Sequence, residues 1–285
     1  MDRLGLGYSA MSERNPRLIY CSISAYGQSG PRSQEGGFDL TLQAMSGLMS
    51  VTGEQDGAPV KCGVPVCDFT AGLYAAFSVT AALRQAEAQG KGTHIDVSML
   101  GATLGIAALQ TSQYFGTGID PVKLGSAHPR NAPYQVFRCQ NGYFGMAAGN
   151  NSLWKSVCAV VERNDLFEDK RFLNTTDRAE NQDELRRILE DIFATADVDT
   201  WLTRFRDAGV PCAPINNYSD VLADTQVEHM QWVQDLELPN GAVTQTFASP
   251  IRFDARTAGI LRRPPELGEH NDEIIAELRA SSVTE

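Results

Sequence analysis

Asp68 is the residue of this chain whose position most directly suggests chemistry. It follows the short segment Cys62-Gly63-Val64-Pro65-Val66-Cys67 and precedes residues 69–83, which are almost continuously apolar or small. A run of that length predicts a buried helix rather than a strand. A carboxylate at the start of a helix is stabilised by free backbone N–H groups and by the helix dipole. The local pattern leaves two roles open: Asp68 caps the helix, or it is a nucleophile that can carry an acyl group.

The cysteines and histidines do not suggest a second reactive centre. The six cysteines are scattered, none forms a CxxC pair, and the four histidines do not cluster with them. This usage is typical of reduced thiols in the core of a cytoplasmic protein. The sequence therefore predicts a cytoplasmic protein without a metal site.

The charge balance argues against several classes of partner. With 24 Lys and Arg against 35 Asp and Glu, the 285-residue chain has a formal net charge of −11. An acidic surface repels phosphate groups, so we expect neither nucleic acid nor an anionic membrane as a partner. The longest apolar run, residues 71–83, is also shorter than a membrane span, and the first residues lack the pattern of a signal peptide.

Strand-like and helix-like segments alternate in the first part of the chain, which is typical of an α/β fold with an open parallel sheet and crossover helices. The predicted elements are strands at residues 18–25 and 94–98 and helices at residues 38–49, 68–88 and 100–115. The turn-rich residues 27–31 then follow a strand, where open α/β sheets place ligand-binding loops.

The composition changes after residue 115. Residues 116–132 are rich in Gly and Pro and indicate a linker, and two strands around the Gln140-Asn141-Gly142 turn are followed by several helices. We therefore predict a discontinuous large domain, a linker and a smaller α+β domain. Their bounds are residues 1–115 and 226–285 for the large domain, 116–132 for the linker and 133–225 for the small domain.

Several separated blocks of the sequence, in the same order and at the same spacing, carry a resemblance to one family. The blocks are residues 2–8, 15–20, 27–31, 43–49, 90–99, 209–214 and 265–270. They resemble class III coenzyme A transferases, the family of formyl-CoA transferase and carnitine CoA-transferase, which is related to α-methylacyl-CoA racemase. The resemblance implies an intertwined homodimer, in which each chain threads through the ring formed by its partner.

Members of this family also carry an N-terminal segment ahead of the block at residues 2–8, with the first strands of the CoA-binding domain and several CoA contacts. By this comparison the large domain lacks its N-terminal part. We therefore expect the 285-residue chain, expressed alone, to be poorly soluble and to have little activity. Supplying an upstream segment should recover both properties.

The resemblance also implies a reaction. Asp68 matches the family's nucleophile, which attacks an acyl-CoA thioester and then carries CoA as an aspartyl-CoA thioester before a carboxylic acid accepts it. Such acid exchange needs an ionised carboxylate and oxyanion donors rather than a metal or a redox cofactor. Coenzyme A is then a co-substrate, and we expect no permanently bound cofactor.

Four further residues match family positions that contact CoA. Arg3 matches a residue at the CoA nucleotide, where a fixed cation suits the phosphates. Met99 matches a residue of the CoA channel, although a Met after a strand is also common as core filling. Gln28 and Gly30 lie in the loop after the first predicted strand.

The segment at residues 125–134 resembles a subgroup with a Gly-x-x-His-Pro pattern that often acts on dicarboxylates, with succinyl-CoA as donor. A substrate loop carrying His128 and Arg130 would bind a second carboxylate. Phe38 is predicted to belong to the same substrate site. The alternative is that His128 and Pro129 only shape a turn.

Two other functions are weighed against the transferase. Racemases of the related type have a His where this chain has Phe38 and a Glu where it has Ser152. Racemisation needs a base on each side of the α-carbon, which Phe38 cannot provide, so this alternative is disfavoured. An inactive remnant that acts only as a binding module is the second alternative, and the start of the chain within the first block is its motivation.

Overall fold

The computed structural model describes residues 1–281 and has a mixed α/β fold with a parallel pair of strands. Contacts divide the chain into two compact units, residues 1–213 and residues 214–285. The predicted union of residues 226–285 with residues 1–115 in one domain stays a prediction.

The parallel pair joins β1 (Ile19–Ser24) and β2 (Thr93–Ser98), with Ile19 opposite Thr93 and Ser24 opposite Ser98. Both predicted strands are therefore confirmed, within a residue of their predicted bounds. Gly92 makes the entry to β2 possible, because a Cβ at this position would lie 2.0 Å from the carbonyl oxygen of Leu18.

Helices surround this pair of strands. They are a 3₁₀ turn (Asp2–Leu4), α1 (Tyr8–Arg14), α2 (Asp39–Met45), α3 (Leu48–Val51), α4 (Val66–Gln89), α5 (Met99–Ile106) and α6 (Ala108–Thr117). The single helices predicted over residues 38–49 and 100–115 are each two helices. Gly47 breaks the first because it adopts a left-handed conformation with φ of 82°, and Ala107 leaves helical geometry between α5 and α6.

The helix α4 packs against β1, β2, α2 and α5 through small side chains. The buried residues of its inner face include Ala71, Ala75, Ala82 and Ala86. Its large apolar side chains point the other way, since Phe69, Leu73 and Phe77 are 66%, 73% and 76% exposed. By length and composition alone α4 is also long enough to cross a membrane, a test that core helices of soluble proteins pass as well.

The second part of the first unit has its own core. A three-stranded sheet with the order β3-β4-β5 packs against helices, and its antiparallel strands β3 and β4 confirm the predicted hairpin. Its strands are β3 (Tyr134–Arg138), β4 (Tyr143–Ala147) and β5 (Cys212–Pro214). Its helices are α7 (Asn151–Val160), α8 (Asp165–Glu168), α9 (Thr175–Glu180), α10 (Gln182–Phe193) and α11 (Val198–Asp207). Aromatic side chains dominate this core, among them Phe144, Phe193 and Trp201.

The second unit consists of short elements. They are α12 (Tyr218–Leu222), α13 (Thr225–His229), β6 (Val233–Glu237), β7 (Val243–Phe247), β8 (Arg252–Phe253), β9 (Arg256–Thr257) and α14 (Asn271–Ser281). The strands β6 and β7 pair in antiparallel fashion, from Val233 opposite Phe247 to Glu237 opposite Val243.

Candidate active site

Asp68 lies in the first turn of α4, two residues after the helix begins. The cap position belongs to Pro65, which makes no side-chain capping bond. Asp39, at the start of α2, supplies the cap instead, because its Oδ1 accepts a hydrogen bond from the backbone N–H of Cys67 at 3.0 Å. Asp68 is therefore not needed to cap its own helix.

The carboxylate of Asp68 is exposed, and within residues 1–281 it takes part in no hydrogen bond or ion pair. It lies at the N-terminal end of the 24-residue helix α4, the positive end of the helix dipole. An ionised carboxylate whose oxygens have no other partner can attack an electrophilic carbon.

The thiol of Cys67, the residue before Asp68, is in a very different environment. Cys67 is fully buried in the core cluster that α4 shares with the strands. Burial raises the pKa of this thiol above its ordinary value, and the negative charge of Asp39 raises it further. Since the thiolate is the reactive form of cysteine, Cys67 is a poor nucleophile at neutral pH.

Phe38 stands next to this group of residues. It immediately precedes Asp39 at the start of α2, and its side chain is 82% exposed. Because Asp39 is bonded to the start of α4, the structure brings the Phe38 and Asp68 segments together. The contact of Phe38 with substrate stays a prediction.

The loop that carries Gln28 and Gly30 follows β1 and is hydrogen-bonded to a side chain of β2. The backbone N–H of Gln28 donates to Oδ2 of Asp96 at 2.8 Å, and the N–H of Gly27 donates to Oγ of Ser24 at 3.0 Å. Gly30 has a φ of 87°, a left-handed conformation that favours glycine. Both Gln28 and Gly30 are exposed, so their atoms are accessible at the carboxyl end of the strands.

The other two residues matched to CoA contacts lie in contrasting environments. Met99 begins α5 and is only 8% exposed, in the same core cluster as Cys67. Arg3 lies exposed in the 3₁₀ turn, and its guanidinium has no hydrogen-bond or ion-pair partner in the described part of the chain.

His128 and Arg130 form a tight turn in the segment before β3. Nδ1 of His128 accepts hydrogen bonds from the backbone N–H groups of Arg130 and Asn131, both at 3.1 Å. Its ring also stacks on Tyr134, with the ring centroids 5.1 Å apart. Burial lowers the pKa of His128 from its ordinary value, and the charge of Arg130 lowers it further.

The guanidinium of Arg130 ties this turn to α6. Its Nη2 donates to the carbonyl oxygen of Leu109 at 3.2 Å and to Oγ of Ser112 at 3.0 Å. Among the described residues no hydrogen bond or ion pair joins this turn to Asp68, and a site shared by the two stays a prediction.

Sequence reasoning missed Asp39 and Gln43 as residues of the site. Gln43 is completely buried on α2 and donates to Asp39 at 2.7 Å. The sequence pointed to Asp39 only through its neighbour Phe38, which was compared with a catalytic His of the racemases. Within residues 1–281, no three His, Cys, Asp or Glu side chains are grouped as a metal site would require.

Comparison with known proteins shows that the chain is similar to CoA-transferases. The family model described as CoA-transferase family III matches residues 1–271. The succinate–glutarate CoA-transferase of Agrobacterium fabrum is 35% identical over 284 residues, which cover 100% of this chain and 71% of that protein. The human succinyl-CoA:glutarate CoA-transferase is 35% identical over 278 residues, which cover 98% of this chain but only 64% of that protein.

A solved structure of similar sequence has the same fold. A CAIB/BAIF family protein from Brucella suis is 35% identical, with a TM-score of 0.80, over 97% of this chain and 72% of that one. The chain therefore corresponds to about two thirds of the length of these relatives.

Proposed function

Because the chain belongs to CoA-transferase family III, we propose that it transfers coenzyme A from an acyl-CoA thioester to a carboxylic acid, with Asp68 as the nucleophile. The observation that carries this proposal is the exposed carboxylate in the first turn of α4, which accepts no hydrogen bond from the described residues. Asp39 performs the capping, which was the competing role for Asp68.

In the first half of the proposed reaction, an oxygen of Asp68 attacks the carbonyl carbon of the thioester. The C–S bond breaks, CoA leaves as a thiolate, and a mixed anhydride forms. The thiolate then attacks the Asp68 carbonyl carbon, which releases the first acid as its carboxylate and leaves an aspartyl-CoA thioester.

The second half reverses these steps with the acceptor. Its carboxylate attacks the aspartyl-CoA thioester and expels the thiolate, which then takes the acyl group of the acceptor and regenerates the Asp68 carboxylate. Each step exchanges one acyl bond for another, so no net electron or proton transfer is needed. In the first turn of α4 the N–H of Val66 donates to Val64 and the N–H of Cys67 donates to Asp39. The N–H of Asp68 has no such partner among the described residues, and we propose it as a donor to the oxyanions.

For the substrates, we propose a small dicarboxylic acid as acceptor and succinyl-CoA as donor. Two of the relatives are named for exchange between succinate and glutarate. We propose His128 and Arg130 as the pair that binds the second carboxylate. Nε2 of His128 and the Nε and Nη1 atoms of Arg130 are the polar atoms that the turn leaves available.

The remaining assignments are also proposals. We propose that Arg3, Gln28, Gly30 and Met99 contact CoA, that CoA is the only cofactor-like molecule required, and that a cytoplasmic homodimer is the working form. The exposed Gln28–Gly30 loop supports this more strongly than Met99 does, because Met99 is almost fully buried.

A racemase or an inactive binding module would give different experimental results. A racemase exchanges the α-proton of a 2-methylacyl-CoA with solvent deuterium and makes no covalent CoA adduct. A binding module binds CoA without forming either product. The Phe38 side chain, which cannot exchange a proton, favours the transferase over the racemase.

The decisive experiment is incubation of the chain, supplied with the upstream segment, with succinyl-CoA, followed by mass spectrometry of the intact protein and its peptides. We expect CoA attached to the peptide that contains Asp68, and no adduct and no transfer in Asp68→Asn or Asp68→Ala. Asp207→Asn is a matched control, because Asp207 is an exposed aspartate on α11. Transfer by Asp68→Asn, with deamidation excluded, would refute the assignment.

A further inference from the structure

Gln43 is a polar side chain that is fully removed from solvent, with 0% of its surface exposed. Both ends of its amide are bonded. Its Nε2 donates to Oδ2 of Asp39 at 2.7 Å, and its Oε1 accepts from the backbone N–H of Cys62 at 2.8 Å. Only this orientation of the amide pairs a donor with an acceptor at both ends.

Asp39 extends the contact to α4. While its Oδ2 is held by Gln43, its Oδ1 accepts the N–H of Cys67 at 3.0 Å. Three hydrogen bonds therefore run in series from Cys62, through Gln43 and Asp39, to Cys67. We refer to Gln43 and Asp39 as the clamp, because together they fix both ends of the segment from Cys62 to Cys67.

This segment has little other support. Gly63, Val64 and Pro65 are all exposed, and Pro65 has neither a backbone N–H nor a side chain that can cap the helix. The start of α4 is thus held by these bonds from α2 and by the burial of the Cys67 side chain in the core. Asp68 directly follows Cys67. The position of its carboxylate therefore depends on the hydrogen bonds by which the clamp fixes Cys67.

We propose that Gln43 is a positioning residue for Asp68: it fixes Asp39 and, through it, the start of α4 that presents the Asp68 carboxylate to the thioester. Gln43 has this role only if Asp68 is the nucleophile, so the inference rests on the proposed function. In that reaction the Asp68 carboxyl group reacts in every step, and a misplacement of about 1 Å can cost about 100-fold in rate. The effect should appear in kcat rather than in the KM for the acyl-CoA.

Two single substitutions each break one bond of the series. Gln43→Glu keeps the acceptor for Cys62 but sets a second carboxylate against Asp39. Asp39→Asn keeps an acceptor for Cys67 but sets an amide N–H₂ group against the N–H₂ group of Gln43. We expect kcat to fall by about tenfold or more in each, with KM for succinyl-CoA changed by less than about threefold, because the bonded geometry is lost but the CoA contacts are not.

The double substitution Asp39→Asn with Gln43→Glu is the critical variant. The new amide nitrogen donates to the new carboxylate, the carboxylate accepts from the Cys62 N–H, and the new amide oxygen accepts from the Cys67 N–H. All three bonds and the net charge are therefore restored with the roles reversed. We expect kcat to return to within about threefold of the wild-type value, since the position of Asp68 is restored.

The kinetics are measured on the full chain, supplied with the same upstream segment, at a temperature below the unfolding midpoint of every variant. Gln85→Glu is the control for the same substitution at an exposed site on α4. Singles that keep the wild-type kcat overturn the inference. So does a folded double variant as slow as the singles, because the Asp39 carboxylate would then take part in the chemistry itself. A wild-type chain that forms no CoA adduct overturns the proposed function and this inference together, whereas the other two results leave the proposed function standing.

Discussion

At the scale of single residues, Cys67 and Asp68 show how adjacent positions on one helix acquire opposite chemistry. Cys67 faces the core and Asp68 faces solvent. A thiol next to the carboxylate would be the stronger nucleophile if it were ionised, but burial raises its pKa and keeps it protonated. Burial of Cys67 therefore supports the proposal that the Asp68 carboxylate is the nucleophile.

Cys67→Ala tests this assignment. We expect CoA transfer to remain within about threefold of wild type, while the free energy of unfolding falls by about 1 kcal/mol because a small cavity opens in the core. Transfer rate and urea unfolding are the two measurements. A loss of transfer of about 100-fold without loss of stability would make the thiol the nucleophile.

The capping role of Asp39 gives a second prediction for single residues. Asp68→Ala should change the free energy of unfolding by less than about 1 kcal/mol, the size of a helix-dipole interaction near the first turn. Asp39→Ala should cost more than about 1–2 kcal/mol, because it removes the cap and leaves the amide of Gln43 unpaired. If urea unfolding gives the opposite order, Asp68 is the true cap.

At the scale of elements, the turn at His128 is built on a nitrogen that must stay unprotonated. Nδ1 of His128 accepts two backbone N–H groups, and Arg130 is the nearby cation. The folded pKa lies below the ordinary value of 6.5. The turn therefore contributes its full stability above about pH 6.5, and this contribution is lost as the pH falls through the lower folded pKa.

His128→Asn tests the pH dependence of this turn. An asparagine oxygen can accept the same kind of turn bond but does not titrate. We expect the wild type to lose more stability than the variant between pH 7 and pH 5, measured by urea unfolding at each pH. Equal losses in the two proteins would show that protonation of His128 does not open the turn.

Local patterns predicted most of these elements but not the contacts between them. The strands β1 and β2 could be predicted because each is short and has turn residues on one side, after β1 and before β2. The break between α5 and α6 at Ala107 could not be predicted from the sequence, because an alanine does not indicate the end of a helix. The local pattern also suggested that Asp68 caps α4. The residue that caps this helix is Asp39, which lies on another helix and reaches the start of α4 only through tertiary packing.

Local patterns also did not predict the contacts of Arg178. Its side chain joins several elements around the aromatic core of the first unit. Its guanidinium is completely buried and donates to Ala132 O at 2.7 Å, Phe172 O at 3.1 Å and Asn151 Oδ1 at 3.0 Å. It forms no ion pair within residues 1–281. Neutral oxygens from three separate segments therefore converge on one cation.

Arg178→Met should accordingly be among the most destabilising substitutions in this chain. We expect a loss of about 3 kcal/mol or more, since three buried acceptors lose a charged donor. Arg204→Met is the control, because Arg204 is exposed and lies over the Trp201 ring, and it should cost about 0.5–1 kcal/mol. Similar urea midpoints for the two variants would contradict the role given to Arg178.

At the scale of the whole molecule, the chain exposes 19114 Å² of surface. Two separate compact proteins with the lengths of its two units would together expose about 14,000 Å² by the usual scaling of folded proteins. The excess of about 5,000 Å² per chain is at least as large as the share of one partner in obligate interfaces, which bury about 2,000–5,000 Å² or more over both partners. The exposed side chains include large apolar ones, among them Phe69, Leu73 and Phe77 on α4 and Phe115 on α6.

Exposed apolar surface of this extent is typical of chains that associate, and it supports the proposed homodimer. We expect light scattering at micromolar concentration to give twice the mass of one chain. Leu73→Asp should shift the protein toward monomer, because a charge on the outer face of α4 would have to be desolvated in an interface. Gln85→Asp, at an exposed polar position of the same helix, should not. A wild-type monomer at this concentration would refute the dimer, and a dimer unaffected by Leu73→Asp would place its interface away from α4.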